Sequence, residues 1–167
     1  MKNIKIDLLK PFEWRVYKAI QLEAFKEEPS SFGTSYAEWV DASDKKWQER
    51  PSDKDSLIFV AKDEETAVGV VGVTFEGEED GKAAYIWGMY VNLKYRGMGL
   101  GKKLLKTIVE AVKKTAQVKR IKLMVEYDPT PAQRLYKSVG FQPVGTTDYK
   151  LGDGKQHKLY KMEMFLK

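Results

Sequence analysis

The sequence predicts an α/β chain of the α+β kind, with about seven strands in a central sheet and about four helices on its faces. Three observations carry this. Short runs rich in Val, Ile and Phe recur between turn-forming residues, and one long stretch has a strong helical period. No repeat, low-complexity run or Pro/Gly/Ser-rich linker divides the chain, so residues 1–167 read as a single domain. At 167 residues and 43% hydrophobic composition, that domain can bury a core of its own.

The elements follow in order. Ile4, Ile6 and Leu8 alternate as a first strand ending near Pro11, and a helix runs from there to about Lys26. Glu28-Pro-Ser-Ser-Phe-Gly-Thr-Ser35 breaks it. Ser35 can cap a second helix in which Tyr36, Trp39, Val40, Ser43 and Trp47 share one face, which puts Trp39 and Trp47 in the core. Leu57–Lys62 and Ala67–Glu76 read as strands joined by the hairpin Asp63–Thr66, and Glu78–Gly81 makes the next turn. Ala83–Val91 is a further strand that enters a glycine-rich loop. Beyond it, Leu100, Leu104, Leu105, Ile108 and Val112 line one helical face, and most of the lysines lie off it. Arg120–Glu126 is a strand, and Asp128-Pro-Thr-Pro131 leads into a short helix that Gly140 ends. Phe141–Tyr149 and His157–Leu166 close the sheet around the turn Leu151–Gly154.

Composition narrows the function classes. The chain has no cysteine and one histidine, which excludes a disulfide framework and leaves no usual ligand set for zinc. Lys5, Asp7 and Lys10 interrupt the apolar start, so neither a signal peptide nor a membrane span is expected and the default is a cytoplasmic protein. The charge is uneven: residues 1–82 carry 12 basic and 18 acidic side chains, and residues 83–167 carry 17 and 6. Ten Lys and Arg against Glu110 alone between residues 92 and 122 suit a polyanionic partner, a nucleotide or nucleic acid, or equally a solvated lysine-rich surface.

Arg96-Gly-Met-Gly-Leu-Gly101 separates the first reading from the rest. Three close glycines let successive backbone N–H groups turn inward as an anion nest, and a helix N-terminus adds its dipole. The spacing fits neither a Walker A loop nor a dinucleotide fingerprint, which would need glycine at Lys102. It matches Arg/Gln-x-x-Gly-x-Gly/Ala, and in this it resembles the pyrophosphate signature of the GNAT superfamily of N-acetyltransferases. Met89-Tyr90-Val91 resembles the strand end that pairs with the cofactor's pantetheine arm in that family. Leu135-Tyr136-Lys137-Ser138-Val139-Gly140-Phe141 is similar to its late Leu-Tyr-x-x-x-Gly-Phe motif. The residue-level likeness covers about residues 85–141. It departs at Pro129, where the family often has an asparagine that binds the cofactor arm; Thr130 or a water is left to take that place.

The resemblance implies a mixed, mostly antiparallel sheet and acetyl-CoA as cofactor, held by Met89, Tyr90, Val91, the turn Arg96, Gly97, Met98, Gly99, Leu100 and Gly101, then Lys102, Thr130 and Tyr136. It implies an acetyl transfer to a primary amine by direct attack in a ternary complex. The backbone N–H of Met89 would polarise the thioester oxygen, and Tyr136 would act as general acid toward the departing sulfur. For the base, the strand Tyr85–Val91 offers no carboxylate; Glu126, Asp128 and Glu76 are the candidates, Glu126 taken first, but each reads equally as an ordinary solvated acid and a water relay would need no dedicated base. The single histidine, His157, is expected to be bland. No residue calls for a covalent acyl-enzyme.

The family plan sets the acceptor against the first two helices, in the acidic half. Aromatics with carboxylates suit an ammonium, which suggests a small cationic or peptidic amine beside Glu27, Glu28, Phe32, Tyr36 and Trp87. Dimers are common in the family, and a homodimer stays open here. Two rivals stand beside the enzyme: a non-catalytic acyl-CoA-binding module built on the same turn, and a nucleic-acid binder. The second lacks interleaved exposed aromatics, so neither nucleic acid nor membrane is expected as a partner.

Overall fold

Why a sheet forms here is visible in its third strand, where Val68 to Val73 are buried on both faces and no charged side chain intervenes. The computed structural model describes residues 3–79 and 81–167. Its strands are β1 (Ile4–Leu8), β2 (Ser56–Asp63), β3 (Thr66–Glu78), β4 (Gly81–Val91), β5 (Val118–Glu126), β6 (Gln142–Lys150) and β7 (Gln156–Phe165). They form one sheet in the order β1-β2-β3-β4-β5-β7-β6. Among these pairs only β4 with β5 is parallel, so the sheet is mixed and mostly antiparallel.

The helices are α1 (Trp14–Glu27), α2 (Tyr36–Trp39), α3 (Asp44–Glu49), α4 (Leu100–Lys113) and α5 (Pro131–Val139). The second expected helix is therefore two. Ser43 is not on a continuous helical face: its backbone is extended (ψ 157°), and its hydroxyl accepts from the Lys46 N–H at 3.2 Å, which caps a fresh helix. Trp47 on α3 is buried, whereas Trp39 on α2 is only half-buried, with its ring 4.8 Å from that of Trp47. The strand expected to stop at Glu76 runs on to Glu78; of the turn expected over Glu78–Gly81, Glu78 and Gly81 are paired ends of β3 and β4, and Asp80 lies outside the described residues.

Two cores sit on opposite faces of the sheet. One lies under α4, where Leu104, Leu105, Ile108 and Val112 have no exposed surface and pack on Val71, Val73 and Ile121. Each such side chain contributes about 1.5–3 kcal/mol by leaving water. The other joins Trp14, Tyr17, Ile20 and Ala24 of α1 to Trp47 and to Val60, Val70 and Tyr90 of the sheet. Gly140 ends α5 as the sequence suggests, in the left-handed region (φ 117°), and its N–H reaches back to the Lys137 and Tyr136 carbonyls.

Candidate active site

The site originates in a defect of the sheet. β4 and β5 pair in parallel only between Lys82↔Val118 and Tyr85↔Lys122, and no pairing continues beyond. On the other edge of β4, Val70 faces Tyr90 and Gly72 faces Trp87, so Gly88 and Met89 together oppose Val71 alone. This is a bulge, and Gly88 (φ 64°) supplies the left-handed residue it requires. A strand that is bulged on one edge and unpaired on the other presents backbone groups to whatever lies beside it. Two cavities open there, sharing Ser31, Met124, Leu151 and Leu159.

The larger cavity, about 570 Å³, runs from Met89, Tyr90 and Val91 to the glycine turn. Gly97 and Gly99 are left-handed (φ 76° and 77°), and a Cβ at either would meet nothing within 4 Å, so the turn is open toward a ligand. Gly99 is the N-cap of α4 and caps with no side chain, while Lys103 N–H returns to the Gly99 carbonyl at 3.1 Å. The N–H groups of Leu100, Gly101 and Lys102 precede that first helical bond and point out of the helix end, which suits a pyrophosphate. Gly101 packs differently: its Cβ position is 3.4 Å from Leu135 and 3.5 Å from Met89, so here the small residue lets α4, α5 and β4 meet. Leu100 and Lys102 also line the cavity, but Met98 is exposed and lies off its wall.

Arg96 is less available than its place in the motif suggests. Its Nε donates to the Val91 carbonyl at 2.8 Å, its Nη2 stands 2.6 Å from Glu28 Oε1, and its guanidinium lies 5.6 Å from the Tyr90 ring centre. Glu28 consequently borders the larger cavity rather than the smaller one. Tyr90 in turn donates to Glu23 at 3.0 Å, and burial together with that carboxylate raises its pKa far above the tyrosine range.

Tyr136 and Thr130 come to the same cavity from α5. Thr130 caps the helix, accepting from the Gln133 N–H at 3.1 Å. Tyr136 is 8% exposed, and burial pushes its pKa up to about 12, so at neutral pH it holds its proton. Of the three carboxylates the sequence offers as a base, only Glu126 reaches the cavity; Glu76 and Asp128 are exposed and line neither one. Glu126 Oε1 is 2.7 Å from His157 Nδ1, and Asp153 Oδ2 is 2.8 Å from His157 Nε2. The other oxygen of Glu126 is buried without a partner. Asp153 and then Glu126 hold the imidazole above its usual pKa. His157 is thus no bland strand residue but the middle of a carboxylate–imidazole–carboxylate chain. Its sequence signal was nil, because the three partners come from β5, β7 and the turn before β7.

The smaller cavity, about 450 Å³, lies across the shared residues toward α1 and α3. Phe32 and Trp87 line it as expected; Tyr36 and Glu27 do not. Sequence reasoning missed Gln21 and Arg50, which do. Its floor is fixed by a contact between distant segments. The Gly152 N–H donates to the Phe32 carbonyl at 2.7 Å, and a Cβ at Gly152 would stand 2.1 Å from the Thr34 carbonyl oxygen.

The basic stretch 92–122 is partly neutralised within the fold. Arg120 and Lys122 both pair with Glu78, Arg120 also approaches Glu163 at 3.6 Å, and Lys113 pairs with Glu110. No helix among the described residues is long and apolar enough to cross a membrane.

Comparison with known proteins gives the same direction. The Acetyltransferase (GNAT) family profile matches residues 16–141. The spermine/spermidine N(1)-acetyltransferase of Bacillus subtilis (strain 168) is 35% identical over 80 residues, 47% of this chain and 53% of that one. The match thus spans about half the length of that relative. The L-amino acid N-acetyltransferase AaaT of Escherichia coli (strain K12) is 29% identical over 122 residues, 72% of this chain and 75% of that one. Among solved structures, Arabidopsis thaliana NAA60 in complex with acetyl-CoA superposes with a TM-score of 0.79 at 19% identity, covering 98% of this chain and 99% of that one. At that identity the likeness is one of fold.

Proposed function

Since the chain belongs to the acetyltransferase (GNAT) family, we propose that it transfers an acetyl group from acetyl-CoA to a primary amine, by direct attack with both bound. The observation that carries this reading is one shared opening: the N-terminal turn of α4, the bulge at Met89 and the buried hydroxyl-bearing Tyr136 border a single cavity. Acetyl-CoA supplies the thioester. In the reaction the amine nitrogen bonds the acyl carbon, the carbon–sulfur bond breaks, one proton leaves the nitrogen and one reaches the sulfur.

The chain's own groups divide this work. Leu100, Gly101 and Lys102 hold the pyrophosphate by their N–H groups, and Lys102 adds a charge. The Met89 N–H donates to the acyl oxygen as negative charge grows there. Tyr136 stays protonated and donates to the sulfur. A thiol ionises near 8.5, well below Tyr136 at about 12, so full transfer would strand a tyrosinate in a dry place. The hydroxyl acts through its hydrogen bond to the developing thiolate, which takes its proton from solvent as coenzyme A leaves. Glu126 takes the amine proton, directly or across one water, with His157 behind it as the route to Asp153 at the surface.

Thermal unfolding with acetyl-CoA, CoA, ATP and NAD in parallel tests the reading. A ligand that binds only the native state raises the melting temperature by mass action. Both coenzyme A species should raise it and the other two should not. No rise from either at millimolar concentration would reject it.

A further inference from the structure

We infer that the smaller cavity takes an amine that also carries a carboxylate, an amino acid or close derivative with an apolar or aromatic body, in preference to a polyamine. This rests on the transferase reading and specifies its acceptor. The first observation is charge. No Asp or Glu lines the cavity, whereas Arg50 and Lys46 do. The acids near these cations are occupied. Asp53 receives the Ser56 hydroxyl at 2.7 Å and the Asp55 N–H at 3.0 Å; it feels the charge of Arg50, but among the described residues no ion pair within 4.0 Å joins the two. Glu49 meets Lys46 at 3.6 Å on an exposed outer face, so Arg50 is the cation left to face the cavity.

The second observation concerns the aromatic walls. An ammonium group is held by the open face of an aromatic ring, within about 6 Å of its centre. At the three tryptophans of this cavity the protein's own cations take that position. Arg50 lies 4.7 Å from the Trp87 ring centre and Lys46 5.6 Å from that of Trp39, while Lys18 stands 6.0 Å from that of Trp47. The Trp87 ring is fixed in turn, because its Nε1 donates to Thr74 Oγ1 at 2.9 Å and Gly72 leaves it room. Arg50 donates weakly to the same Thr74 oxygen at 3.4 Å. A polyamine approaching Trp39, Trp47 or Trp87 would meet like charge, while a carboxylate would meet the Arg50 guanidinium beside a fixed indole.

The third observation locates the amine end. Gln21 lines the cavity, is 2% exposed, and its carbonyl oxygen has no hydrogen-bond partner. Its amide lies against Gly88, where a Cβ would come within 2.8 Å of Nε2. An unpaired buried acceptor is unfavourable, and an arriving N–H donor satisfies it. Gly88 adjoins Met89, so an amine at Gln21 lies beside the acyl group that Met89 would hold.

The test is thiol release from acetyl-CoA with matched pairs: phenylalanine against phenethylamine, tyrosine against tyramine, 6-aminohexanoate against hexylamine, with spermidine alongside. We expect kcat/KM about tenfold or more higher for the acid of at least one pair, and spermidine below it. In Arg50→Gln that acid should fall to the level of its decarboxylated partner through KM, and Arg50→Lys should restore part of the difference. Acetyl-CoA melting shifts, run on each variant, report folding and cofactor binding independently of the acceptor. Spermidine or a decarboxylated amine as the better substrate would overturn the inference, as would turnover of no member by a protein that acetyl-CoA still stabilises. Loss of the acetyl-CoA shift in the unmodified protein would instead overturn the transferase reading beneath it.

Discussion

Arg96 and Glu28 face each other at the rim of the larger cavity, Nη2 to Oε1 at 2.6 Å, beside the turn that is open to a polyphosphate. The carboxylate there opposes an incoming anion and holds the guanidinium that would attract it. Both side chains are partly solvated, so the pair itself adds little stability. Glu28→Gln should lower the Kd of acetyl-CoA about threefold at low salt and less at high salt, by removing the like charge. Isothermal titration at two ionic strengths checks this; weaker binding would mean that Glu28 serves to aim Arg96.

Gly99 should be the least replaceable residue of the turn. Alanine there meets no protein atom, so its effect separates cleanly into backbone and ligand. The left-handed conformation (φ 77°) costs about 1–2 kcal/mol with a Cβ. Gly99→Ala should lose that much in urea unfolding, and acetyl-CoA affinity should fall about tenfold or more because the methyl group stands where phosphate oxygens approach.

Tyr136→Phe keeps the ring that packs edge-on against Phe141 and removes only the hydroxyl. It should cut kcat about 10- to 100-fold while the acetyl-CoA melting shift stays within a degree or so. Equal losses in both would identify the tyrosine as packing. Because burial holds the pKa near 12, the rate should show no loss from Tyr136 ionisation up to about pH 10.

As the only histidine, His157 can be titrated alone by NMR. Its flanking carboxylates should place the midpoint above the ordinary value of about 6.5. The sign of the linkage follows. A raised folded pKa gives stability that is fully present below about pH 6.5 and is lost as pH rises through the folded value. The melting-temperature gap between the protein and His157→Gln should therefore be widest near pH 5–6, where the lowered pKa of Asp153 keeps it ionised, and narrow toward pH 8–9. A gap independent of pH would show that the imidazole contributes by neutral hydrogen bonds.

What the sequence disclosed and what it withheld follow one physical line. The helix from Leu100 and the turn before it were legible because both are local: five apolar residues on one face, and glycines spaced for an anion. The break between α2 and α3 was not, since Ser43 fits a helical face and an N-cap equally well, and only folding chooses. The site residues divide the same way. Met89, Gly99 and Tyr136 sit in contiguous motifs. Gln21 and Arg50 reach the cavity that Trp87 lines only because α1 and α3 pack on the sheet face beside it, and nothing near them in the chain signals that. Glu28 misled for the converse reason. An acid among aromatics suggests an ammonium site, but a distant arginine captures it.

The contact at Gly152 has a consequence for descent. Residues 29–34 and the tip of the last hairpin are fitted to each other at van der Waals distance, although 120 positions separate Phe32 from Gly152. A chimera that took its first third from one relative and the remainder from another would divide that fitted pair wherever the crossover fell between them. Changes in either segment should therefore be inherited together, and insertions in one should be matched by shortening in the other.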